Sequence, residues 1–313
     1  MKNPDYIVDY LNHIGIANKY KAKEINCEFC GFYEFSLVRD VIDVGKGKFA
    51  KLPVVSCNRC GGLFQNPRFP RDFYKEFYSK KYRDSLYGDL SPSKSFIDDQ
   101  FKRGKLLYKS LQKYLPKKRN LKILDVGCSS GGMMKSFIEK GWKGYGTDPD
   151  VGYVKYGKDV LNLPVEVKDS EEMELEKNSF DLIIIMGSLE HVFDPNKTLE
   201  ICRKAAKPNS LLLLEGRGHP QKESKIYFNH NHHRYLTLNS MSILMLRHGW
   251  KPILRTDEEL TGPTRKGGIF CLGKSTKILN KISMLKNSQV YFEKSEDIIN
   301  KFNVLDKKLR KAI

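Results

Sequence analysis

The chain has 313 residues, of which 40% are hydrophobic and 11% aromatic, and its formal net charge is +18. This composition excludes a disordered chain, and the length allows one large domain plus a smaller one. The apolar runs are too short to cross a bilayer and the first residues do not resemble a signal peptide, so we expect a cytoplasmic protein. The charge suits an acidic partner, but we attribute about half of the excess to lysines scattered over the surface.

Residues 1–90 carry two close cysteine pairs and many aromatic residues without a sustained period, which predicts a small loop-rich module. Cys27 and Cys30 form one Cys-x2-Cys pair, and Cys57 and Cys60 form the other. Two such pairs supply the four thiolates that a structural Zn²⁺ ion prefers. We therefore predict a zinc ion that stabilises this module, with four unrelated reduced cysteines as the alternative.

The rest of the chain is predicted to contain a connecting helix, an alternating region and a helical tail. Residues 91–120 form the connecting helix, which ends at Pro116. Residues 121–273 alternate short apolar strands with helices, which predicts a parallel sheet covered on both faces. Its last two strands lack an intervening helix and should form an antiparallel hairpin at one edge. Residues 274–313 form the tail, whose apolar residues favour docking or a homodimer over membrane binding.

The first strand of the alternating region ends on Asp125 and turns at once into glycines and serines. Gly127, Ser129 and Gly131 let a ligand approach this bend closely, and the next helix presents free N–H groups to it. A carboxylate before the first glycine would repel the pyrophosphate of a dinucleotide. It suits a ligand that carries an ammonium and a sulfonium group.

Polar residues also follow the second and third strands of the alternating region. Asp148 ends the second strand, where a carboxylate accepts both hydroxyl groups of a ribose. Asp169 and Ser170 follow the third strand, where they are placed to bind an adenine amino group. The acids have a simpler explanation as helix caps, but three polar strand ends together favour an adenosyl ligand.

These motifs resemble the class I S-adenosylmethionine-dependent methyltransferases over roughly residues 100–273. The resemblance rests on "LDVGCSSGG", "GTD", "VKDSEEMELEKNSFDLIIIMGSLEHV" and "HHRYLTLNSMSILMLRHGW". It implies an α/β fold with a Rossmann-like seven-stranded sheet, a small zinc-ribbon-like N-terminal module and C-terminal helices. It also implies S-adenosylmethionine (SAM) as the cofactor, with these binding residues: Asp125, Gly127, Ser129, Gly131, Asp148, Asp169, Ser170, Met186 and Tyr82.

The cysteine module is similar to the zinc-binding module ahead of many bacterial methyltransferases, some of which methylate nucleotide-linked sugars. In that family an aromatic segment often covers the cofactor, which makes Tyr78 and Tyr82 candidates, although packing of the module explains them equally well. The longer sugar C-methyltransferases have an additional C-terminal domain, for which this chain is too short. We therefore expect methylation on oxygen rather than on carbon.

Histidines are the candidate bases, because a hydroxyl acceptor loses a proton and imidazole accepts one near neutral pH. We rank His232 first, then His191 and His233, although a hydrogen bond that supports the fold is the favoured role of His191. A metal site at His230 and His232 lacks a third ligand. Residues that would bind an anionic acceptor or orient the base are Glu190, Arg217, Arg234 and Tyr235.

The sequence thus predicts a SAM-dependent methyltransferase for a small molecule, with a phosphorylated or nucleotide-linked sugar as the favoured acceptor. The main alternative is an RNA methyltransferase that uses the basic surface and the zinc module, and the scattered charge argues against it. A non-catalytic protein is a further alternative. The intact set of strand-end acids argues against that one.

Overall fold

The computed structural model describes residues 3–45, 48–78, 91–217, 228–265, 267–277 and 280–311. The strands are β1 (Phe35–Gly45), β2 (Lys48–Cys57), β3 (Leu63–Gln65), β4 (Lys122–Val126), β5 (Lys143–Asp148), β6 (Val165–Val167), β7 (Phe180–Met186), β8 (Ala206–Arg217), β9 (Arg234–Tyr235), β10 (Trp250–Thr256) and β11 (Gly268–Ser275). The α-helices are α1 (Asp5–Ile14), α2 (Arg71–Phe77), α3 (Lys94–Leu111), α4 (Gly132–Ile138), α5 (Val151–Asp159), α6 (Pro195–Ala205), α7 (Leu238–Arg247), α8 (Lys281–Ser288) and α9 (Ser295–Lys311). Short 3-10 helices cover Pro263–Arg265 and Gln289–Tyr291.

The chain divides into two compact units, each built from separate stretches of sequence. The cysteine unit comprises Met1–Gly88, Arg217–Ile243 and Ser288–Ile313. The sheet unit comprises Asp89–Gly216 and Leu244–Asn287. An internal stretch of the predicted sheet domain, residues 217–243, therefore folds with the cysteine unit.

The cysteine unit contains an antiparallel sheet in the order β1-β2-β3-β9. In the long hairpin of β1 and β2, Val38 and Ile42 are buried while Leu37 and Val41 are exposed. Side chains of a strand alternate between its faces, so β1 covers the core with one face only. The two-residue strand β9 pairs with β3, and a stretch far along the chain thereby completes this sheet.

Aromatic side chains fill the core of the cysteine unit. Helix α1 buries Tyr10 and ends at Gly15, whose φ of 67° gives a left-handed cap. Helix α2 buries Phe73 and Phe77, which lie four residues apart and so share one helix face. The ring of Phe73 stacks on Phe69 with 4.2 Å between centroids.

The predicted helical tail is observed as helices α8 and α9. Helix α9 buries Ile298 and Phe302 within the cysteine unit, and the ring of Phe302 lies 5.1 Å from that of Phe228. Burying one phenylalanine side chain contributes about 2–3 kcal/mol, so this apolar face already has a packing role. Within the described ranges, no helix has the length and apolar content needed to cross a bilayer.

The sheet unit, as far as it is described, is built on a seven-stranded sheet in the order β10-β11-β8-β7-β4-β5-β6. The pairs β4–β5, β4–β7, β5–β6 and β7–β8 are parallel, and β10–β11 is an antiparallel hairpin at one edge. Both the mixed sheet and the edge hairpin confirm the fold predicted from the sequence. Strand β7, "FDLIIIM", is buried along its whole length, as a central parallel strand must be.

Helix α3 packs closely on helix α4 in the sheet unit. A Cβ at Gly104 would lie only 2.4 Å from the carbonyl oxygen of Met133, so this contact requires glycine. The neighbouring Arg103 is 1% exposed, and its guanidinium forms an ion pair of 3.1 Å with Glu215 at the end of β8. Helix α3 is thereby fixed against the carboxyl edge of the sheet.

Candidate functional site

The glycine bend after β4 is held by the next strand and by the loop after β7. The N–H groups of Gly127 and Cys128 donate to the carbonyl oxygen of Thr147 at 2.7 and 3.0 Å. Gly127 has a φ of 73°, and a Cβ there would lie 2.4 Å from the Cβ of Ser188. Both the left-handed backbone and the crowding by Ser188 exclude a side chain from this position.

Asp148 is fixed beside the bend by two backbone N–H groups. Ser129 donates to one carboxylate oxygen at 2.8 Å, and Asp150 donates to the other at 2.9 Å. Ser129 has a φ of 55°, a conformation that costs a non-glycine residue about 1 kcal/mol and that aims its N–H at Asp148. The carboxylate proposed to bind ribose is therefore oriented before any ligand arrives.

Asp125 carries an unsatisfied carboxyl oxygen inside the sheet unit. The residue is 1% exposed, and its Oδ2 atom has no hydrogen-bond partner among the described residues. Burial and, to a smaller extent, the carboxylate of Asp148 raise its pKa to about 8, although the guanidinium of Arg103 opposes the shift. A buried carboxyl group is costly unless it is paired, so a cation brought to Oδ2 would be bound favourably.

The other predicted cofactor residues of the sheet unit follow strands β6 and β7. The hydroxyl of Ser170 lies 2.9 Å from that of Thr198, and the carbonyl of Asp169 accepts from Glu172 at 3.0 Å. Met186 ends β7 and is 7% exposed. The structure thus brings Asp125, Asp148, Asp169 and their neighbours to one edge of the sheet, whereas Tyr82 lies outside the described residues.

The four cysteines of the N-terminal pairs form one cluster in the cysteine unit. Their sulfur atoms all lie within 4.8 Å of one another, with 3.6 Å between Cys27 and Cys60 and between Cys30 and Cys57. Tetrahedral Zn²⁺ with bonds of about 2.3 Å holds its sulfur ligands about 3.8 Å apart. The cluster therefore fits a four-thiolate metal ion with no coordination position left for a substrate.

Comparisons with known proteins identify the sheet unit. Residues 100–254 match the family described as "Methyltransferase domain". The ubiquinone biosynthesis O-methyltransferase of Rhodopseudomonas palustris is 29% identical over 98 residues, which are 30% of this chain and 39% of that protein. The tRNA U34 carboxymethyltransferase of Desulfotalea psychrophila is 27% identical over 133 residues, or 40% and 42% of the two chains. The 1,6-didemethyltoxoflavin-N1-methyltransferase structure from Burkholderia thailandensis has a TM-score of 0.50 at 13% identity, and the match covers 76% of this chain and 100% of that one.

Residues 100–254 match a methyltransferase domain, and the sheet has the class I SAM-dependent methyltransferase fold. Most of the match lies in the sheet unit, which we call the methyltransferase domain from here on, while residues 217–243 belong to the cysteine unit. The curated relatives are matched over about two fifths of their own length. The structural match shares the fold of this domain. Asp125, with its unsatisfied oxygen, and the oriented Asp148 could hold the charged and polar parts of SAM.

Two candidate residues follow β7 in the methyltransferase domain. The loop is held by Ser188, whose hydroxyl donates to the carbonyl oxygen of Val126 at 2.8 Å, and the N–H of His191 donates to the carbonyl of Ser188 at 3.0 Å. Glu190 is 1% exposed, while the side chain of His191 is partly exposed. Both residues lie on the same edge of the sheet as Asp125.

The remaining candidate bases, His232 and His233, fold with the cysteine unit. The side-chain oxygen of Asn229 accepts the N–H groups of Asn231 and His232 at 3.1 and 3.2 Å, which shapes a tight turn. Loss of hydration and, to a smaller extent, the nearby charge of Arg217 lower the pKa of His232 to about 3. His232 is therefore neutral at physiological pH and a weak base.

Arg234 and Tyr235 have buried partners in the cysteine unit. Arg234 is 0% exposed and contacts the carboxylate of Glu28 through Nη2 at 2.6 Å and Nε at 3.1 Å. The buried hydroxyl of Tyr235 donates to the carbonyl of Asn229 at 2.9 Å. These contacts give both side chains a role in the fold, and sequence reasoning missed Glu28 although it stands between two cysteines in "CEFC".

Proposed function

We propose that the protein methylates a small molecule with SAM as donor. The observation that carries the proposal is the buried, unsatisfied carboxyl group of Asp125 beside a glycine bend and the oriented carboxylate of Asp148. A phosphorylated or nucleotide-linked sugar, or a glycan precursor, is the favoured acceptor because the cysteine module resembles those of bacterial sugar methyltransferases. Oxygen is the favoured atom, and an O-methyltransferase among the relatives supports that choice.

The chain's own residues would hold the cofactor in the following way. Asp125 would pair with the ammonium group of SAM, and Asp148 would accept hydrogen bonds from the ribose hydroxyls. Asp169 and Ser170 would bind the adenine amino group. When bound, SAM supplies a methyl group that its sulfonium centre has already activated. The protein then has to align the acceptor and exclude water, which accounts for most of the catalysis such a transfer needs.

A histidine would remove the proton of the acceptor hydroxyl as the new bond forms. His232 keeps the first rank because it aligns with a histidine that recurs in the family the sequence resembles, and its imidazole is neutral at physiological pH. His191 keeps the second rank because it follows β7 in the methyltransferase domain, and His233 the third. Glu190 and Arg217 remain the proposed acceptor-binding residues.

The decisive experiment uses labelled SAM with a panel of nucleotide sugars, and with tRNA and rRNA as controls. We expect label in a sugar nucleotide and none in RNA. His232→Ala should keep cofactor binding and lose about 100-fold in turnover, with His191→Ala as the parallel variant. Unchanged turnover in His232→Ala would remove His232 from the role.

An RNA acceptor is the second candidate, because one relative acts on tRNA and the chain is strongly basic. Label appearing only in RNA would establish it. Binding to RNA should then weaken steeply with added salt, since each phosphate contact releases counterions. A sugar nucleotide with its few charges would show only a shallow salt dependence.

The proposal also includes a structural zinc ion, a cytoplasmic location that keeps the four thiols reduced, and a homodimer through the C-terminal helices. Metal analysis of the purified protein should find one zinc ion per chain. Sedimentation should find two chains per particle.

A further inference from the structure

We propose that the two metal-binding knuckles, residues 27–30 and 57–60, position the histidine segment, residues 229–235, and that loss of the metal releases this segment. The inference deepens the proposed function, because the segment carries the favoured base. It concerns contacts within the cysteine unit, between the first 78 residues and a segment about 160 residues later. Glu28, Arg68 and Gln65 are the residues that make the connection.

Glu28 links the first knuckle to two arginines. It lies between the metal ligands Cys27 and Cys30, and its side chain is 9% exposed. Its carboxylate accepts from Arg68 at 3.2 and 3.0 Å and from Arg234 at 3.1 and 2.6 Å. Because both arginine side chains are almost completely buried, with 3% and 0% exposure, Glu28 is the counterion of two charges that water cannot reach.

Arg68 carries this connection to the backbone of the histidine segment. Its Nη2 atom, which also pairs with Glu28, donates to the carbonyl oxygen of His233 at 2.9 Å. Arg234 belongs to the segment itself. A single carboxylate on the knuckle therefore holds the segment at two successive residues, His233 and Arg234.

Gln65 also holds the histidine segment, through hydrogen bonds that do not involve Glu28 or the first knuckle. Its side chain is buried, and its amide nitrogen lies 3.2 Å from the carbonyl oxygen of Asn229, 3.4 Å from that of His230 and 3.2 Å from the hydroxyl of Tyr235. Its backbone N–H donates to the carbonyl of His233 at 2.9 Å. Buried carbonyl groups of an irregular segment need such donors, so these bonds fix its path.

The metal ion would link these two sets of contacts. Cys27 and Cys30 lie on the knuckle that carries Glu28, while Cys57 ends β2, the strand that pairs with β3 and thus with Gln65. Without the metal, the two knuckles remain joined by the pairing of Phe35 with Cys57 and by the hydrogen bond from Asn58 to the carbonyl of Glu34, but the position of Glu28 relative to Gln65 is no longer fixed by coordination bonds. The histidine segment would then lose one of its two sets of donors.

Hydrogen exchange measured by mass spectrometry tests the metal dependence without any activity assay. The full chain is compared before and after removal of the metal with a chelator, and metal analysis verifies the loss. We expect backbone exchange in residues 229–235 to accelerate at least about tenfold, while β7 in the methyltransferase domain keeps its rate. Unchanged exchange in residues 229–235 after complete metal loss would overturn the inference.

Gln65→Met tests the contacts of Gln65 with all four cysteines in place. Methionine has a similar volume and cannot donate to the segment. We expect full metal content, faster exchange in residues 229–235, a turnover about tenfold lower and an unchanged KM for SAM, since one lost hydrogen bond corresponds to roughly that factor. Glu34→Gln, at an exposed position of the same unit, is the control that should match the wild type in every measurement.

The two proposals fail in distinguishable ways. If His232→Ala keeps its turnover, the assignment of the base is wrong, but the exchange data still decide whether the knuckles order the segment. If Gln65→Met keeps wild-type exchange and turnover while His232→Ala is inactive, the base stands and the positioning role of Gln65 is wrong.

Discussion

The methyltransferase domain and the cysteine unit each bury a carboxyl group, and the two groups differ in their partners and in the direction of their pKa shifts. Asp125 is 1% exposed, has an oxygen without a partner among the described residues, and has its pKa raised to about 8 by burial. Burial would also raise the pKa of Glu28, but Arg234 and Arg68 outweigh it and lower the pKa to about 2. A buried acid whose partners are all in the fold supports structure, whereas one left unsatisfied indicates a place for a ligand.

Removing the charge of Glu28 should have the largest effect on stability. Glu28→Gln leaves two buried guanidinium groups without a counterion, and we expect the free energy of unfolding to fall by about 3–5 kcal/mol. Denaturant unfolding of the metal-loaded protein measures this, with Glu34→Gln as the matched control. A loss below about 1 kcal/mol, as for a surface ion pair, would contradict the account of the cluster.

Removing the charge of Asp125 should weaken SAM binding and should not lower stability. Asp125→Asn removes the charge that would pair with the ammonium group of SAM, so we expect affinity to fall about 100-fold, as measured by calorimetry. Its thermal stability should be unchanged or higher, because a buried group no longer has to stay protonated. Asp181→Asn is the control: Asp181 is a buried, lysine-paired acid at the start of β7, and its loss should lower stability without touching SAM affinity.

SAM binding should also depend on pH through Asp125. Its folded-state pKa of about 8 means that the free protein holds a proton there at pH 7, and pairing with an ammonium group must expel it. Affinity should therefore rise by up to about tenfold per pH unit from pH 6 to pH 8 and then level off. Calorimetry in buffers of different ionisation enthalpy should detect the released proton in the wild type and not in Asp125→Asn.

A smaller effect is expected from His230 in the cysteine unit. Both of its ring nitrogens lack partners among the described residues, it lies between Tyr10 and Phe77, and burial lowers its pKa to about 4. In the unfolded chain, His230 has a pKa of about 6.5 and binds a proton that it does not bind in the folded chain. Stability is therefore lost as the pH falls from about 6.5 to 4. At pH 5, the free energy of unfolding of His230→Phe should be about 1 kcal/mol higher than that of the wild type. Equal acid sensitivity of the two proteins would show that His230 is not the responsible group.

The sequence predicted that Asp125 and Asp148 lie at the ends of neighbouring strands, because the signals for this placement are local. Asp125 and Asp148 each end an apolar strand, and parallel strands bring their carboxyl ends to the same side of a sheet. What the sequence did not reveal is why Gly127 must be glycine. The group that crowds this position is Ser188, from the loop after another strand.

The cysteine unit was predicted only in part. The Cys-x2-Cys spacing is a local signal, and it predicted the cluster of four sulfurs that the structure brings together. The partners of Glu28 lie 40 and 206 residues away, and no pattern in the sequence links them. Strand β9 is two residues long, too short for any alternation that would reveal a strand between β8 and α7.

The discontinuous make-up of the cysteine unit limits how such proteins can change by exchange of gene segments. A crossover after residue 88 would supply a new set of knuckles together with a foreign β3, while β9 and Arg234 would still come from the old gene. The resulting hybrid would keep the buried cation of Arg234 but would lose the Glu28 with which it was paired. We expect the first 88 residues and residues 217–243 to be transmitted as a pair, so that their histories stay joined although 128 residues, 89 to 216, separate them in the chain.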